Sequence, residues 1–209
     1  YAWTTSDAYI KGVVEADGGI YGDIMSFYGG VGKTSNLFTY SEDFTQGSWS
    51  KTPGDLQVTT GELAPDGTST ACRLTSTVDA SVTQTVSAAN STTYTFSIYL
   101  APGAQNYAYV FLKSNVETDW WIWPNYQYVD LYNTTGWRRF SVTYTTPSSG
   151  VTSVMAKVMF YGSASYNSIK VWGAQLRPAA SQGIYLKTTS SAITNSNSLF
   201  YGDGSGLTN

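Results

Sequence analysis

Between Asn36 and about Leu186, apolar and polar residues alternate in short runs divided by turn residues. Alternation of this kind is the period of strands with one face buried. The runs begin with Leu56 to Thr60, a Pro65-Asp66-Gly67 turn, Thr70 to Thr77 and Ser81 to Ser87. Thr92 to Leu100 is the clearest strand, with Tyr94, Phe96, Ile98 and Leu100 on one face and Thr95 and Ser97 on the other. Pro102-Gly103 makes a turn before Asn106 to Lys113, and an aromatic run then reaches Leu131. After a turn at Asn133 to Gly136, Phe140, Val142 and Tyr144 alternate inward within Trp137 to Thr145. Beyond Pro147-Ser148-Ser149-Gly150, the residues Val154, Ala156, Val158 and Phe160 repeat the pattern, and Ser168 to Leu176 closes the set. No segment sustains a helical period. The pattern predicts an all-β chain of two packed antiparallel sheets, a β-sandwich.

The flanks read differently. Residues 1–35 are punctuated by Gly18-Gly19, Gly22, Gly29-Gly30 and Gly32, and carry no core period of their own. So many glycines between apolar residues leave an isolated monomer poorly packed. The expectation is a linker in which Ile20, Ile24, Met25 and Phe27 pack against other copies of the chain. Gly29-Gly30-Val31-Gly32 lacks the spacing of a phosphate loop. The chain starts without Met, which suggests a piece of a longer protein. From residue 187 to 209 apolar content collapses into Thr, Ser and Asn, a composition that neighbouring chains would have to order. The expected organisation is therefore 1–35 linker, 36–186 sandwich and 187–209 polar linker.

Composition narrows the function. Charged residues are 12 % of the chain, about half the usual share. A net charge of −3 argues against nucleic acid or an anionic membrane as main partner. No apolar run reaches the roughly 18 residues of a membrane span. The single Cys72 forbids an internal disulfide and is expected as a buried thiol, which points to maturation in a reducing cytoplasm. The chain has no His, so the usual general base, the Ser-His and Cys-His nucleophiles and most zinc chemistry are gone. Paired carboxylates remain as a hydrolytic route. Glu117, Asp119 and Asp130 are the candidates, but they stand in a stretch poor in carboxylates, and a non-enzymatic role is expected.

Asp119 to Tyr128 concentrates flat aromatic area. Strand geometry would put Trp121, Trp123 and Tyr126 on one side, with Trp120 and Ile122 on the other. Pro124 suits an edge strand or a bend. The C–H face of a pyranose stacks on such rings while its hydroxyls seek polar side chains. Trp121, Trp123, Tyr126 and Tyr128 are thus candidates for sugar stacking, with Asp119, Asn125 and Gln127 as hydroxyl partners. Tyr107 and Tyr109 would extend the surface from a neighbouring strand. The competing reading is that these rings fill the core. Trp49, Trp137 and Trp172 are read as core, and Arg138-Arg139 as surface charges on opposite faces of a strand. Glu42, Asp43 and Asp66 are the candidate oxygen ligands for a structural Ca²⁺, without a dense Asp-x-Asp-x-Asp loop.

Several motifs in order carry a resemblance. Asn36-Leu37-Phe38-Thr39-Tyr40-Ser41-Glu42-Asp43-Phe44 with Trp49, then Ala64-Pro65-Asp66-Gly67-Thr68, resemble the opening of carbohydrate-binding-module-like jelly-roll domains in phage tail and virion proteins. Tyr94 to Leu100, Gly136 to Thr143 and Val171-Trp172-Gly173-Ala174-Gln175-Leu176 are similar to later strands of that family, although Arg177 stands where a Glu is usual. Gly202-Asp203-Gly204-Ser205-Gly206-Leu207-Thr208-Asn209 is similar to a sequence recurring in phage fibres. The resemblance implies a homotrimeric tail-fibre module in the virion, assembled in the host cytoplasm beside other tail proteins. It would hold host-surface polysaccharide without cleaving it. The alternatives are an architectural spacer or virion decoration without ligand, and the binding module of a polysaccharide-degrading enzyme.

Overall fold

The computed structural model describes residues 34–54, 56–119, 125–132, 136–162 and 167–196. The expected N-terminal packing residues, Trp120, Trp121 and Trp123, and the fibre-like C-terminal sequence lie outside the described residues.

The strands are β1 (Thr34–Asn36), β2 (Ser50–Thr52), β3 (Gln57–Glu62), β4 (Ala71–Ser76), β5 (Ala80–Ser87) and β6 (Thr93–Pro102). They continue with β7 (Tyr107–Ser114), β8 (Tyr126–Asp130), β9 (Arg138–Thr145), β10 (Ser153–Phe160), β11 (Asn167–Arg177) and β12 (Ile193–Ser196). No helix occurs among the described residues. One five-stranded sheet has the order β2-β5-β10-β7-β8 and the other β3-β4-β11-β6-β9, while β1 pairs with β12 apart from both. Every pairing is antiparallel. From β5 to β7 and again from β8 to β11 the chain crosses between sheets at each connection, the winding of a jelly-roll sandwich.

The facing sides of the sheets make the core. Alternate residues of β6 (Tyr94, Phe96, Ile98, Leu100) meet those of β7 (Ala108, Val110, Leu112) and β10 (Val154, Ala156, Val158, Phe160). Phe38, Phe44 and Trp49 plug one end, with Trp49 4.6 Å from Phe44 and 5.3 Å from Phe38 between ring centroids. Cys72 is buried in this core, where desolvation pushes its thiol above the ordinary range.

Strand β11 changes parity in its middle. Ile169 and Val171 point to the core, and so do Ala174 and Leu176. An odd-to-even switch requires an extra residue, and the register against β6 shifts between Trp172 and Gln175. Gly173 supplies the bulge with φ of 63°, a left-handed conformation glycine adopts without cost.

Alternation alone assigns Thr95 and Ser97 of β6 to a polar face, yet both are buried. The chain after β11 explains it by running back across the outer side of this sheet. Thr95 Oγ1 donates to the carbonyl of Ala179 at 2.7 Å. Arg139 donates to Gly183 O at 2.6 Å, Gln175 Oε1 at 2.7 Å and Ser97 Oγ at 2.9 Å. Its guanidinium also lies 5.4 Å from the Tyr99 ring centroid. The expectation of surface contacts is therefore corrected for Arg139, which pins this strap, while Arg138 is exposed. Under the strap a second cluster joins buried Ala64, Ala71 and Trp172 with partly buried Tyr99, Trp137 and Tyr185. Trp137 is thus only half-buried and donates its indole N–H to Leu63 O at 2.9 Å.

Candidate functional site: the tyrosine face

A sandwich has two outer faces, and the strap closes one of them. On the other, cross-strand pairing arranges side chains in rows. Partners directly opposite in an antiparallel ladder project from the same side. One row runs Tyr128, Tyr109, Met159, Ser81, Thr52 from β8 to β2. The next runs Tyr126, Phe111, Lys157, Thr83, Ser50. Lys113, Met155 and Thr85 make a third, and Asp130 with Tyr107 a fourth. Five strands place the ends of a row about 19 Å apart. Rings occupy the β7–β8 side, thioethers and an ammonium the middle, hydroxyls the β2–β5 side.

The parity of β7 explains the rings. Ala108, Val110 and Leu112 face the core, so Tyr107, Tyr109 and Phe111 must face out. Tyr107 stacks on Tyr128 at 5.9 Å and 28°, and Tyr109 meets Tyr128 edge-on at 5.4 Å. Tyr161, just past β10, lies 6.1 Å from Tyr107 and 5.7 Å from Tyr109. Tyr128 is 52 % exposed, the most open described ring of the group, and Tyr107, Tyr109, Tyr126 and Tyr161 are partly exposed. Burial raises the Tyr109 hydroxyl pKa, and the neighbouring tyrosines add to the effect. Phe111 is fully buried at 0 % and serves as floor rather than platform. The Lys157 Nζ lies 4.9 Å from the Phe111 centroid. Desolvation, reinforced by Lys113, lowers the Lys157 pKa to about 8.

The connection from β7 to β8 is tied down at its start. Glu117 Oε2 accepts from the backbone N–H of Ser114 at 2.8 Å and from its Oγ at 2.6 Å. The Tyr144 hydroxyl of β9 donates to Glu117 Oε1. Burial pushes the Glu117 carboxyl up, but these bonds outweigh it and hold the group below its ordinary value. Burial, helped by Glu117, pushes Tyr144 up to about 12. Lys113 Nζ donates to Glu117 O at 2.9 Å, which fixes the same turn over that end of the face.

Of the candidate sugar-binding residues, Tyr107, Tyr109, Tyr126 and Tyr128 come together on this face. Trp121 and Trp123 lie outside the described residues. Asn125 is 6 % exposed, and its carbonyl accepts from Leu112 N at 2.8 Å, extending the β7–β8 ladder. Gln127 pairs with Val110, on the core-facing side of its strand. Asp119 is exposed on the connection. Neither Asn125 nor Gln127 joins the tyrosines, because a strand turns successive residues to opposite faces.

The carboxylates proposed for Ca²⁺ do not form one site. Glu42 is buried and accepts from Lys187 Nζ at 2.7 Å and Tyr185 Oη at 3.1 Å. With Asp43 it lines a cleft of about 380 Å³ that Lys187 shares. Asp43 is engaged by Thr45 and Gln46, and Asp66 closes its own turn through Thr68. Among the described residues no group of three or more His, Cys, Asp or Glu is positioned to hold a metal ion.

Sequence reasoning missed Phe111, Lys157, Met155, Met159 and Tyr161 as members of the face. For Met155, Lys157 and Met159 the signal is present: they occupy the intervening positions of a strand whose inward residues, Val154, Ala156, Val158 and Phe160, the alternation identifies.

Fold and face together define a jelly-roll β-sandwich with one outer side sealed by its own chain and the other lined with tyrosines. No protein-family model and no curated protein sequence matches the chain. Among solved structures it is similar to the enzymatically active domain of tailspike protein 4 of bacteriophage CBA120, at 15 % identity and a TM-score of 0.49. That match covers 68 % of this chain and 21 % of the tailspike chain, so this chain spans about a fifth of it. A second is the TmCBM61 module in complex with β-1,4-galactotriose, at 13 % identity and a TM-score of 0.49, covering 70 % of this chain and 100 % of that one. A third is the CBM22-1–GH10 portion of the Clostridium thermocellum xylanase 10B complexed with xylohexaose, at 12 % identity and a TM-score of 0.46, covering 74 % and 29 %.

Proposed function

We propose that this chain is a non-catalytic carbohydrate-binding module, and that it serves a phage tail fibre or related virion appendage. The observation that carries the binding reading is the open tyrosine face. Tyr107, Tyr109, Tyr126, Tyr128 and Tyr161 are held side by side on a rigid sheet, with hydroxyl side chains across from them. Rigid rings stack on the apolar side of a pyranose at little entropic cost, and Ser81, Thr83 and Thr85 offer hydrogen bonds to sugar hydroxyls. Host-surface polysaccharide is the ligand class this chemistry suits. Binding without cleavage accords with Glu117, whose two oxygens are both committed to Ser114 and Tyr144. The fibre setting rests on the resemblance of the sandwich motifs and of the C-terminal sequence Gly202 to Asn209 to phage tail and fibre proteins. Weak single sites are multiplied by effective concentration when three copies share one fibre.

The experiment is a glycan array and whole-cell binding with the wild type and with Tyr109→Ala/Tyr128→Ala. The double variant should fold and lose about tenfold or more in affinity, about 1.4 kcal/mol. Wild-type protein that binds no glycan, or a double variant that binds as well as wild type, refutes the proposal. In the first case the module is an architectural spacer.

A further inference from the structure

We propose that the cleft at the β3–β4 edge of the strapped sheet is a second ligand site and that it takes one neutral sugar ring. The site is separate from the tyrosine face and does not rest on it.

The cleft, about 380 Å³, falls within the size of small-molecule pockets, roughly 300–1,000 Å³. Three parts of the chain wall it: Tyr40 to Asp43, the sheet edge at Thr60 and Thr70, and Lys187 to Thr189 beyond the strap. Backbone bonds tie the first wall to the third, with Tyr40 N donating to Thr189 O at 2.6 Å and Ser41 N to Thr188 O at 3.2 Å. Tyr40 itself is held at φ of 50°, an uncommon conformation for a residue with a side chain. Its carbonyl accepts from Trp49 Nε1 at 3.0 Å. The ring that lines the cleft therefore stands on a backbone fixed from both sides.

The polar groups are positioned by buried ones. Glu42 is 6 % exposed and accepts from Lys187 Nζ at 2.7 Å and from Tyr185 Oη at 3.1 Å. An ammonium carries three donors. Glu42 takes one of them and fixes where the others stand, on a side chain that is otherwise exposed. Asp43 accepts three hydrogen bonds from Thr45 and Gln46, and a carboxylate has about four acceptor positions.

Thr188 carries the argument furthest. It lines the cleft and is 4 % exposed. Its N–H donates to Ser41 Oγ at 2.8 Å, but its own Oγ1 is shielded from water and has no hydrogen-bond partner among the described residues. Buried hydroxyls are nearly always bonded. A turn about χ1 moves such a hydroxyl between staggered positions without disturbing the backbone, so a ligand hydroxyl in the cleft can claim it. Charge selects the ligand further. Glu42 and Lys187 offset each other, Asp43 repels an anion, and Lys187 repels a cation. A neutral sugar ring stacks on Tyr40, and its hydroxyls donate to Asp43 and accept from Lys187 and Thr188.

A single ring binds weakly, so the test reads binding residue by residue. The nitrogen-labelled chain is titrated with D-glucose, D-galactose and D-mannose, and with the matching uronates, while amide shifts are mapped by NMR. At least one neutral sugar should shift the amides of Tyr40 to Asp43 and Lys187 to Thr189, and its uronate should bind more weakly. Thr188→Val should keep the melting temperature or raise it, because the hydroxyl makes no bond inside the protein. It should weaken binding about tenfold, the scale of one hydrogen bond, while Thr188→Ser stays close to wild type. No shift at the cleft with any sugar overturns the inference, and so does a uronate that binds as tightly as its parent. A Thr188→Val chain that binds like wild type, or that melts lower, overturns it as well. Shifts confined to Tyr107, Tyr109 and Tyr128 overturn it and leave the tyrosine face standing.

Discussion

Replacing Gly173 with Ala tests how the sealed side of the sandwich is built. Two costs follow from the structure. With φ of 63° an L-residue pays about 1–2 kcal/mol for the left-handed backbone. The added Cβ would also meet Tyr99 Cδ2 at 3.1 Å and Tyr185 Cζ at 3.3 Å. Neither ring retreats easily. Tyr185 packs on Trp172 at 4.7 Å, and its hydroxyl is held by Ser41 at 2.7 Å and Glu42 at 3.1 Å. Overpacking of this kind costs about 1–3 kcal/mol. Together the two give about 2–5 kcal/mol, or roughly 5–15 °C in melting temperature for a domain of this size.

Gly61→Ala is the control that separates the two costs. Gly61 has φ of 94°, and a methyl group added there would meet nothing within 4 Å, so it carries only the backbone cost. Thermal unfolding followed by circular dichroism should show the larger loss for Gly173→Ala, with tryptophan fluorescence reporting disturbance around Trp172. Glycan affinity should not change, because the tyrosine face lies on the other sheet. Equal melting temperatures for the two variants would refute the close-packed account of the strap.

Two further outcomes follow from the same geometry. Arg139→Met removes donors from Ser97, Gln175 and Gly183 O and should cost about 3 kcal/mol or more; limited proteolysis should then cut within residues 178–186, and a strap as resistant as wild type would count against the pin. Glu117 has a depressed folded pKa, so its stabilising effect is present above the unfolded carboxylate value and is lost as pH falls through the folded one; urea titrations at several pH values should show Glu117→Gln less stable than wild type near neutrality and the gap closing in acid, and a pH-independent gap would remove the charge from the explanation.

The fold was largely legible in the sequence because alternation and burial coincide in β9 and β10, where Phe140, Val142 and Tyr144, and Val154, Ala156, Val158 and Phe160, are apolar and inward. Alternation misled at β6. Thr95 and Ser97 look solvent-facing, and only a strap about 80 residues further along the chain buries them. No local pattern marks Arg139 as the strap's anchor, since its partners come from β6, β11 and the segment beyond. The site was half legible. Tyr107, Tyr109, Tyr126 and Tyr128 advertise themselves by chemistry, but the strand direction that unites them with Lys157 and Met159 is a property of pairing, which a single sequence does not print. Reading Asn125 and Gln127 as partners of those rings failed for the reverse reason: nearness along a strand puts neighbours on opposite faces.

The two outer faces begin with similar materials, and the binding proposal rests on their difference. Both carry clustered rings, and both carry a cation within reach of them: Arg139 over Tyr99 on one side, Lys157 beside Phe111 on the other. On the first side the chain supplies its own cover. Carbonyls of Ala179 and Gly183 satisfy Thr95 and Arg139, and Tyr185 fills the space between Tyr99 and Trp172. These internal contacts cover the rings of that side and give Arg139 its oxygen acceptors. On the second side Tyr128 stays half open, and the hydroxyls of β5 face outward at the other side of the same sheet. Under the binding proposal, a ligand with a flat apolar side would cover those rings as residues 179–185 cover the others, and a pyranose chain has such a side.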